Sequence, residues 1–431
     1  MSAELSQSPS MSPLSAADID SAAQRIAVVV TPTPLQYSDR LSAITGAQVY
    51  LKREDLQIVR SYKLRGAYNL LVQLSDEEIG AGVVCSSAGN HAQGFAYACR
   101  TLGVHGRVYV PAKTPKQKRD RIRYHGGSFI ELIVGGSTYD LAAEAALADV
   151  QRTGATLVPP YDDPRTIAGQ GTIAVEVLDQ LDKLGVGEPD LVVVPVGGGG
   201  CIAGITTYLA KRTTNTAVLG IEPAGAAAMM AALAAGEPVT LDHVDQFVDG
   251  AAVKRAGTLT HATLAAAGDM VSITMVDEGA VCTAMLDLYQ NEGIIAEPAG
   301  ALSVAGLLEA DINPGATVVC LISGGNNDVS RYGEVLERSL VHLGLKHYFL
   351  VDFPQEPGAL RRFLDGVLGP NDDITLFEYV KRNNRETGEA LVGIQLGSSA
   401  DLDDLLARMR ETAIHFETLQ PGSPAYRYLL L

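Results

Sequence analysis

The sequence predicts an α/β protein: two open α/β lobes followed by a smaller C-terminal unit of ferredoxin-like order. From about Ala16 to Ser330, short runs rich in Val, Ile and Leu alternate with helical patterns. Most of these runs are continuously apolar, as expected of parallel strands covered on both faces. Past about Lys346 the order becomes β-α-β-β-α-β, the ferredoxin-like unit.

The elements follow in chain order. Residues 1–15 are polar and Ser/Pro-rich without an apolar stretch, so they read as a disordered tail and neither a signal peptide nor an anchor. Strands are expected at Val49–Lys52, Gly82–Cys85, Arg107–Val110, Ser128–Leu132, Leu191–Val196, Val218–Ile221 and Thr317–Ile322. Ala92, Phe95, Ala96 and Cys99 share one helical face, giving a helix over Asn90–Leu102 that stops at Gly103. The texture change places a linker at 338–345, between a catalytic part (16–337) and a last unit (346–431). In that unit Tyr348–Phe353 reads as a strand, and Leu360, Phe363, Leu364 and Val367 mark a helix. Ile374–Val380 and Ala390–Leu396 flank a turn at Asn383–Gly388. Leu402, Leu405, Leu406 and Met409 mark a second helix, and Tyr426–Leu431 a last strand.

Composition narrows the function classes. With 33 basic against 50 acidic side chains, the net charge of −17 leaves no basic face for nucleic acid or an anionic membrane. Hydrophobic content of 47% with 19% charged is that of a folded globule. Cys85, Cys99, Cys201, Cys282 and Cys320 lack the spacing of a zinc site or a disulfide framework, which suits a reducing cytoplasm. The eight histidines show no ligand spacing, so no metal site is expected. The basic run Lys113–Arg123 reads as a solvated helix face.

Three glycine-containing turns follow expected strands. Ser86-Ser87-Ala88-Gly89-Asn90-His91 opens the helix just described, where small residues let backbone N–H groups approach an anion. Gly197-Gly198-Gly199-Gly200-Cys201 follows Leu191–Val196; four residues without side chains can form a nest of donors around a phosphate. Ser323-Gly324-Gly325-Asn326 follows Thr317–Ile322. In an open α/β sheet the carboxyl ends of strands line the ligand crevice, so the three turns are expected to converge. Lys63, in Ser61-Tyr62-Lys63-Leu64-Arg65-Gly66-Ala67, is an ordinary surface lysine unless a carbonyl cofactor traps it as a Schiff base. Lysine, phosphate nest and carboxylate-binding helix start together point to pyridoxal phosphate, with Ser323 as the partner for its ring nitrogen.

These four segments, in this order, resemble those of the fold-type II, tryptophan-synthase-β-like pyridoxal enzymes, and among them the serine/threonine dehydratases. The C-terminal segment, with Pro357-Gly358-Ala359-Leu360, Leu376-Phe377-Glu378-Tyr379 and Gly393, is similar to the ACT-like regulatory domain of biosynthetic threonine dehydratases. The resemblance implies Lys63 as the Schiff-base lysine and the acid/base at the substrate α-carbon, and Asn90 at the ring 3′-oxygen. It implies Gly197, Gly198, Gly199, Gly200 and Cys201 around the phosphate through backbone N–H groups, and Ser323 at the pyridine nitrogen. The family most often has leucine where Cys201 stands. Ser87, Ala88, Gly89, Asn90 and His91 would receive the substrate carboxylate. A hydroxyl partner makes the ring a weaker electron sink than a carboxylate would, which favours β-elimination over transamination.

The activity so implied is dehydration and deamination of L-threonine to 2-oxobutanoate and ammonia, with L-serine as a secondary substrate. Isoleucine would inhibit and valine relieve through the C-terminal unit, in a homo-oligomer. Glu297 reads either as a group near the ring or as a helix-start acid. Two other readings stay open here. Gly198-x-Gly200-x-x-Ala203, with Glu222 ending the next strand, passes the local test for a nicotinamide-dependent oxidoreductase. A serine-preferring dehydratase of the same family differs only in pocket shape.

Overall fold

The computed structural model of the chain describes residues 14–379, 381, 385–412, 414–421, 423 and 425–426. Its first helix, Ala16–Ile26, begins at a reciprocal cap: the Ser15 hydroxyl accepts from the Asp18 N–H, and the Asp18 carboxylate accepts from the Ser15 N–H. The expected tail therefore ends before Ser15; residues 1–13 lie outside the described residues.

The chain divides into two compact units, one running to Glu278 and including Leu288–Asn327, the other Gly279–Asp287 with Asp328–Leu431. The segment 338–345, expected to be a linker, instead holds the end of helix Tyr332–His342, in which Val335 and Ser339 lie one turn apart and are both buried.

The first unit contains β1 (Leu35–Tyr37), β2 (Gln48–Arg53), β3 (Val83–Ser86), β4 (Gly106–Val110), β5 (Ile130–Val134), β6 (Thr156–Leu157), β7 (Leu191–Pro195), β8 (Ala217–Pro223), β9 (Val271–Val276) and β10 (Thr317–Ile322). They form two open sheets, ordered β1-β2-β10-β7-β8-β9 and β5-β4-β3-β6. Every pairing is parallel except β1 with β2. β10 is buried along its whole length, and its neighbours are β2 and β7. The strand expected at Ser128–Leu132 starts later, at Ile130, because Gly127–Phe129 forms a 3₁₀ turn.

Buried apolar clusters support these sheets, two of them large. One gathers Ile19, Ile173, Val194, Ile202 and Leu321; the other gathers Leu64, Leu70, Phe95, Val108 and Ile122. Beside them lies a buried ionic network. The Arg65 guanidinium donates to both Glu54 carboxylate oxygens, at 2.8 and 2.7 Å, and pairs with Glu176 at 2.7 Å. Lys52 donates to Glu176 at 2.6 Å and to the Thr33 carbonyl at 2.7 Å. Two cations thus face two carboxylates, which is the condition for burying any of them.

The second unit contains β11 (Lys346–Pro354), β12 (Asp373–Tyr379), β13 (Thr387–Gln395) and β14 (Phe416–Leu419) in one antiparallel sheet ordered β12-β13-β11-β14. Helices Ala359–Val367 and Leu402–Glu411 contribute Phe363 and Leu405 to a core with Phe349, Val351 and Phe353. The β-α-β-β-α-β order is as expected, but its last strand is β14; of the expected Tyr426–Leu431, residues 427–431 lie outside the described residues, as do Val380 and Asn383.

Candidate active site

The sheet order makes neighbours of segments that are distant in sequence. β2 and β10 lie side by side, and the turns beyond their carboxyl ends are laced together. The Tyr62 N–H donates to the Ser323 carbonyl at 3.2 Å, Gly325 N–H to Arg60 C=O at 2.9 Å, and Ser61 bridges Gly324. Arg60 takes a left-handed φ of 57°, unusual for a residue with a Cβ and costing of order 1 kcal/mol. That turn delivers Lys63 as the first residue of helix Lys63–Leu71.

Beyond β7, Gly197, Gly198, Gly199, Gly200 and Cys201 line one cavity together with Tyr62, Lys63 and Tyr161. Lys63 and the glycine turn therefore converge. The Lys63 ammonium donates to the Pro160 carbonyl at 3.1 Å. Burial pushes its pKa down to about 8, partly opposed by the Glu297 carboxylate. The Cys201 thiol is pushed up to about 12, chiefly by burial, and so stays protonated at neutral pH beside the lysine.

The glycines are required by space. A Cβ on Gly198 would lie 2.3 Å from the Tyr161 ring. Gly199 adopts φ 91°, and its Cβ would meet Met229 at 2.4 Å and the Thr260 hydroxyl at 2.8 Å. Gly199 is also the N-cap of helix Gly200–Arg212, and no side chain caps that helix. Its first N–H groups are thus available to an anion.

The second turn has the same character. Gly89 caps helix Asn90–Leu102 without a side-chain bond. The Asn90 amide is fixed at both ends: its N–H₂ donates to Glu297, and its carbonyl accepts from Asn326 Nδ2 at 2.7 Å. Glu297 occupies the N-cap position of helix Pro298–Glu309, yet its carboxyl makes no cap bond and turns to Asn90. Glu297 thus stands at a helix start, as one of its two sequence readings has it, with its carboxyl committed to Asn90. Burial pushes its carboxyl up to about 7, helped by Asp249 and opposed by the Asn90 bond. His91 is buried, with Nε2 2.8 Å from the Val158 carbonyl; burial and then Lys63 push it down to about 4, so it is neutral. Ser87 Oγ accepts from the Gly89 N–H at 3.3 Å, and Ala88 lies between them, partly buried. Buried Ser323 donates to the Ala299 carbonyl at 3.1 Å.

Several residues here carry no sequence signal. Tyr161, whose ring packs on the glycines, lies in a turn without a motif. Thr260 reaches the same turn, its hydroxyl donating to the Gly198 carbonyl at 2.7 Å. The run Lys113–Arg123 is more than a solvated face: Lys118 pairs with Asp249, and Arg121 donates to Gln93 and Asn326 at 3.4 Å. Glu222 is not poised for a ribose. Its buried carboxylate accepts the Met229 and Met230 N–H groups at 2.7 and 2.8 Å, capping the next helix, so the nicotinamide reading loses its acidic partner.

A half-buried lysine of lowered pKa, a side-chain-free cradle at a helix start and a second uncapped helix start fit pyridoxal phosphate. Among the described residues, Ser61 Oγ, Ser86 Oγ and His91 Nδ1 are also buried without a partner, flanking the lysine and the second turn in sequence. Fold and site together define a pyridoxal-phosphate dependent enzyme. Residues 26–324 match the family model of pyridoxal-phosphate dependent enzymes, and residues 337–429 that of the C-terminal regulatory domain of threonine dehydratase. The chain is 89% identical over 433 residues to "L-threonine dehydratase biosynthetic IlvA" of Mycobacterium tuberculosis, covering 100% of both. It is 62% identical over 414 residues to the protein of that name from Corynebacterium glutamicum, covering 96% of this chain and 95% of the other. The solved structure of the processed form of threonine deaminase isoform 2 from Solanum lycopersicum superposes with a TM-score of 0.68 at 35% identity, covering 76% of this chain and 96% of that one. The chain belongs to the family of biosynthetic L-threonine dehydratases. Among the described residues, no helix is long and apolar enough to cross a membrane.

Proposed function

We propose that the chain converts L-threonine to 2-oxobutanoate and ammonia, with Lys63 and Gly197–Cys201 holding the cofactor. The convergence of the Lys63 amine and the glycine turn on one cavity carries this reading. When bound, the cofactor acidifies the substrate α-carbon. Lys63, with its pKa near 8, exchanges protons close to neutral pH and is the base at that carbon. The uncapped helix start at Ser87, Ala88, Gly89, Asn90 and His91 receives the substrate carboxylate through backbone N–H groups. His91, being neutral, adds no charge there. Asn90, pinned by Glu297 and Asn326, presents its remaining N–H to the ring oxygen. Ser323 offers the ring nitrogen an uncharged partner, which suits early loss of the β-hydroxyl over prolonged charge storage.

The second unit serves feedback control, with isoleucine as inhibitor and valine as the relieving effector. L-Serine is a slower substrate, and the enzyme works as a cytoplasmic homo-oligomer. The test is ketoacid formation from threonine and from serine, with and without isoleucine. Faster 2-oxobutanoate than pyruvate formation, lowered by isoleucine and restored by valine, is the expected result. No ketoacid from either substrate, in protein that carries the cofactor, would overturn the reading.

A further inference from the structure

The glycine turn is held from behind. Thr260, fully buried on helix Thr258–Ala267, donates its hydroxyl to the Gly198 carbonyl at 2.7 Å, and the Gly257 N–H reaches the same oxygen at 3.2 Å. The Gly198–Gly199 peptide is trans, with carbonyl and N–H on opposite sides. Two donors on that carbonyl therefore fix the direction of the Gly199 N–H, pointing it away from Thr260. The helix bearing Thr260 is anchored in turn. The Asp162 carboxylate accepts the N–H groups of Thr258 and Leu259, each at 2.9 Å, and of Thr260 at 3.4 Å. Asp162 adjoins Tyr161, whose ring packs on Gly198, and Pro160, whose carbonyl takes the Lys63 amine. One short loop thus touches the lysine, the glycines and the helix behind them.

We infer that Thr260, with Asp162 behind it, is a positioning residue that orients the Gly198–Gly199 peptide as a donor to the cofactor phosphate. The inference rests on the cradle assignment made above, and it adds a source of phosphate affinity outside the cavity lining. Thr260→Val removes the hydroxyl at nearly constant shape, whereas Thr260→Ser keeps it.

The experiment is equilibrium dialysis of the holoenzyme against graded pyridoxal phosphate, with occupancy read from the visible absorbance of the bound cofactor. A parallel series uses pyridoxal, which lacks the phosphate. Thr260→Val is expected to raise the half-saturating pyridoxal phosphate concentration about tenfold, equivalent to ~1.4 kcal/mol. Thr260→Ser is expected to stay within about threefold of the wild type, and pyridoxal binding to be the same in all three proteins. Equal weakening toward both ligands would make the role merely structural and overturn the inference, as would unchanged binding in Thr260→Val or a serine variant as weak as the valine one. If Thr260→Val does not fold, Asp162→Asn decides: about threefold weaker pyridoxal phosphate binding with pyridoxal unaffected supports the inference, and any other result overturns it. A wild-type protein indifferent to the phosphate would reject the cradle assignment itself.

Discussion

Glu297 and Asn90 are joined side chain to side chain, the Asn90 amide donating to a carboxyl that burial has raised to about 7. The pair links the start of helix Asn90–Leu102 to the start of helix Pro298–Glu309. It also sets which end of the Asn90 amide faces which neighbour, because Asn326 occupies the carbonyl end.

Glu297→Gln keeps an acceptor for Asn90 but removes the titrating group. An acid with a raised folded-state pKa binds more protons folded than unfolded, so its contribution to stability falls as pH rises from about 4.5 to about 7 and stays low above that. The variant should therefore gain on the wild type across that window, by up to about 3 kcal/mol at pH 8. Urea unfolding of both proteins at pH 5 and pH 8 measures the difference. A gap that does not change with pH would contradict the burial argument.

Lys63→Ala should lose the visible absorbance of lysine-bound cofactor and lower threonine turnover by about 10²–10⁴-fold or more, the range for removing a general base. Spectra and a 2-oxobutanoate assay on the same preparation check both. Retained colour with full turnover would place the essential amine elsewhere.

Gly198→Ala puts a methyl group 2.3 Å from the Tyr161 ring. Loss of cofactor retention is expected, with partial recovery in Gly198→Ala combined with Tyr161→Ala, where the ring is gone. Cofactor content after gel filtration reads both. A double variant no better than the single one would mean the methyl acts on something other than Tyr161.

Arg65→Met strands Glu54 and Glu176 in the core without their guanidinium. Breaking a buried pair from one side costs about 3–5 kcal/mol. By contrast, Lys183→Ala breaks an exposed pair with Asp179 and should cost no more than about 1 kcal/mol. Denaturant midpoints of the two variants should separate clearly.

What the sequence made legible was what residue chemistry writes locally. A run of four glycines after an apolar strand, a lysine in a small-residue turn and Gly103 at a helix end each have a local physical reason, and each lies where it was expected. β1 and β6, three and two residues long, are too short to show a period, and β9 is half-exposed along an edge. Tyr161 and Thr260 act on the glycine turn across roughly 40 to 60 positions of chain, and Asp162 acts on it through Thr260, which no local pattern encodes. The change of texture at 338–345 reads as a break in the sequence, while the buried Val335 and Ser339 continue a helix into it.

The placement of β10 between β2 and β7 bears on how the protein is born. Those neighbours leave the ribosome long before the strand that joins them, and Ser323 follows only at its end. At about 5–20 residues per second, synthesis reaches that point roughly 16–65 s after initiation. Until then the nascent chain has its lysine and its glycines but no strand to hold them together. β10 is therefore the last strand of its sheet to be made, after both of the neighbours it joins.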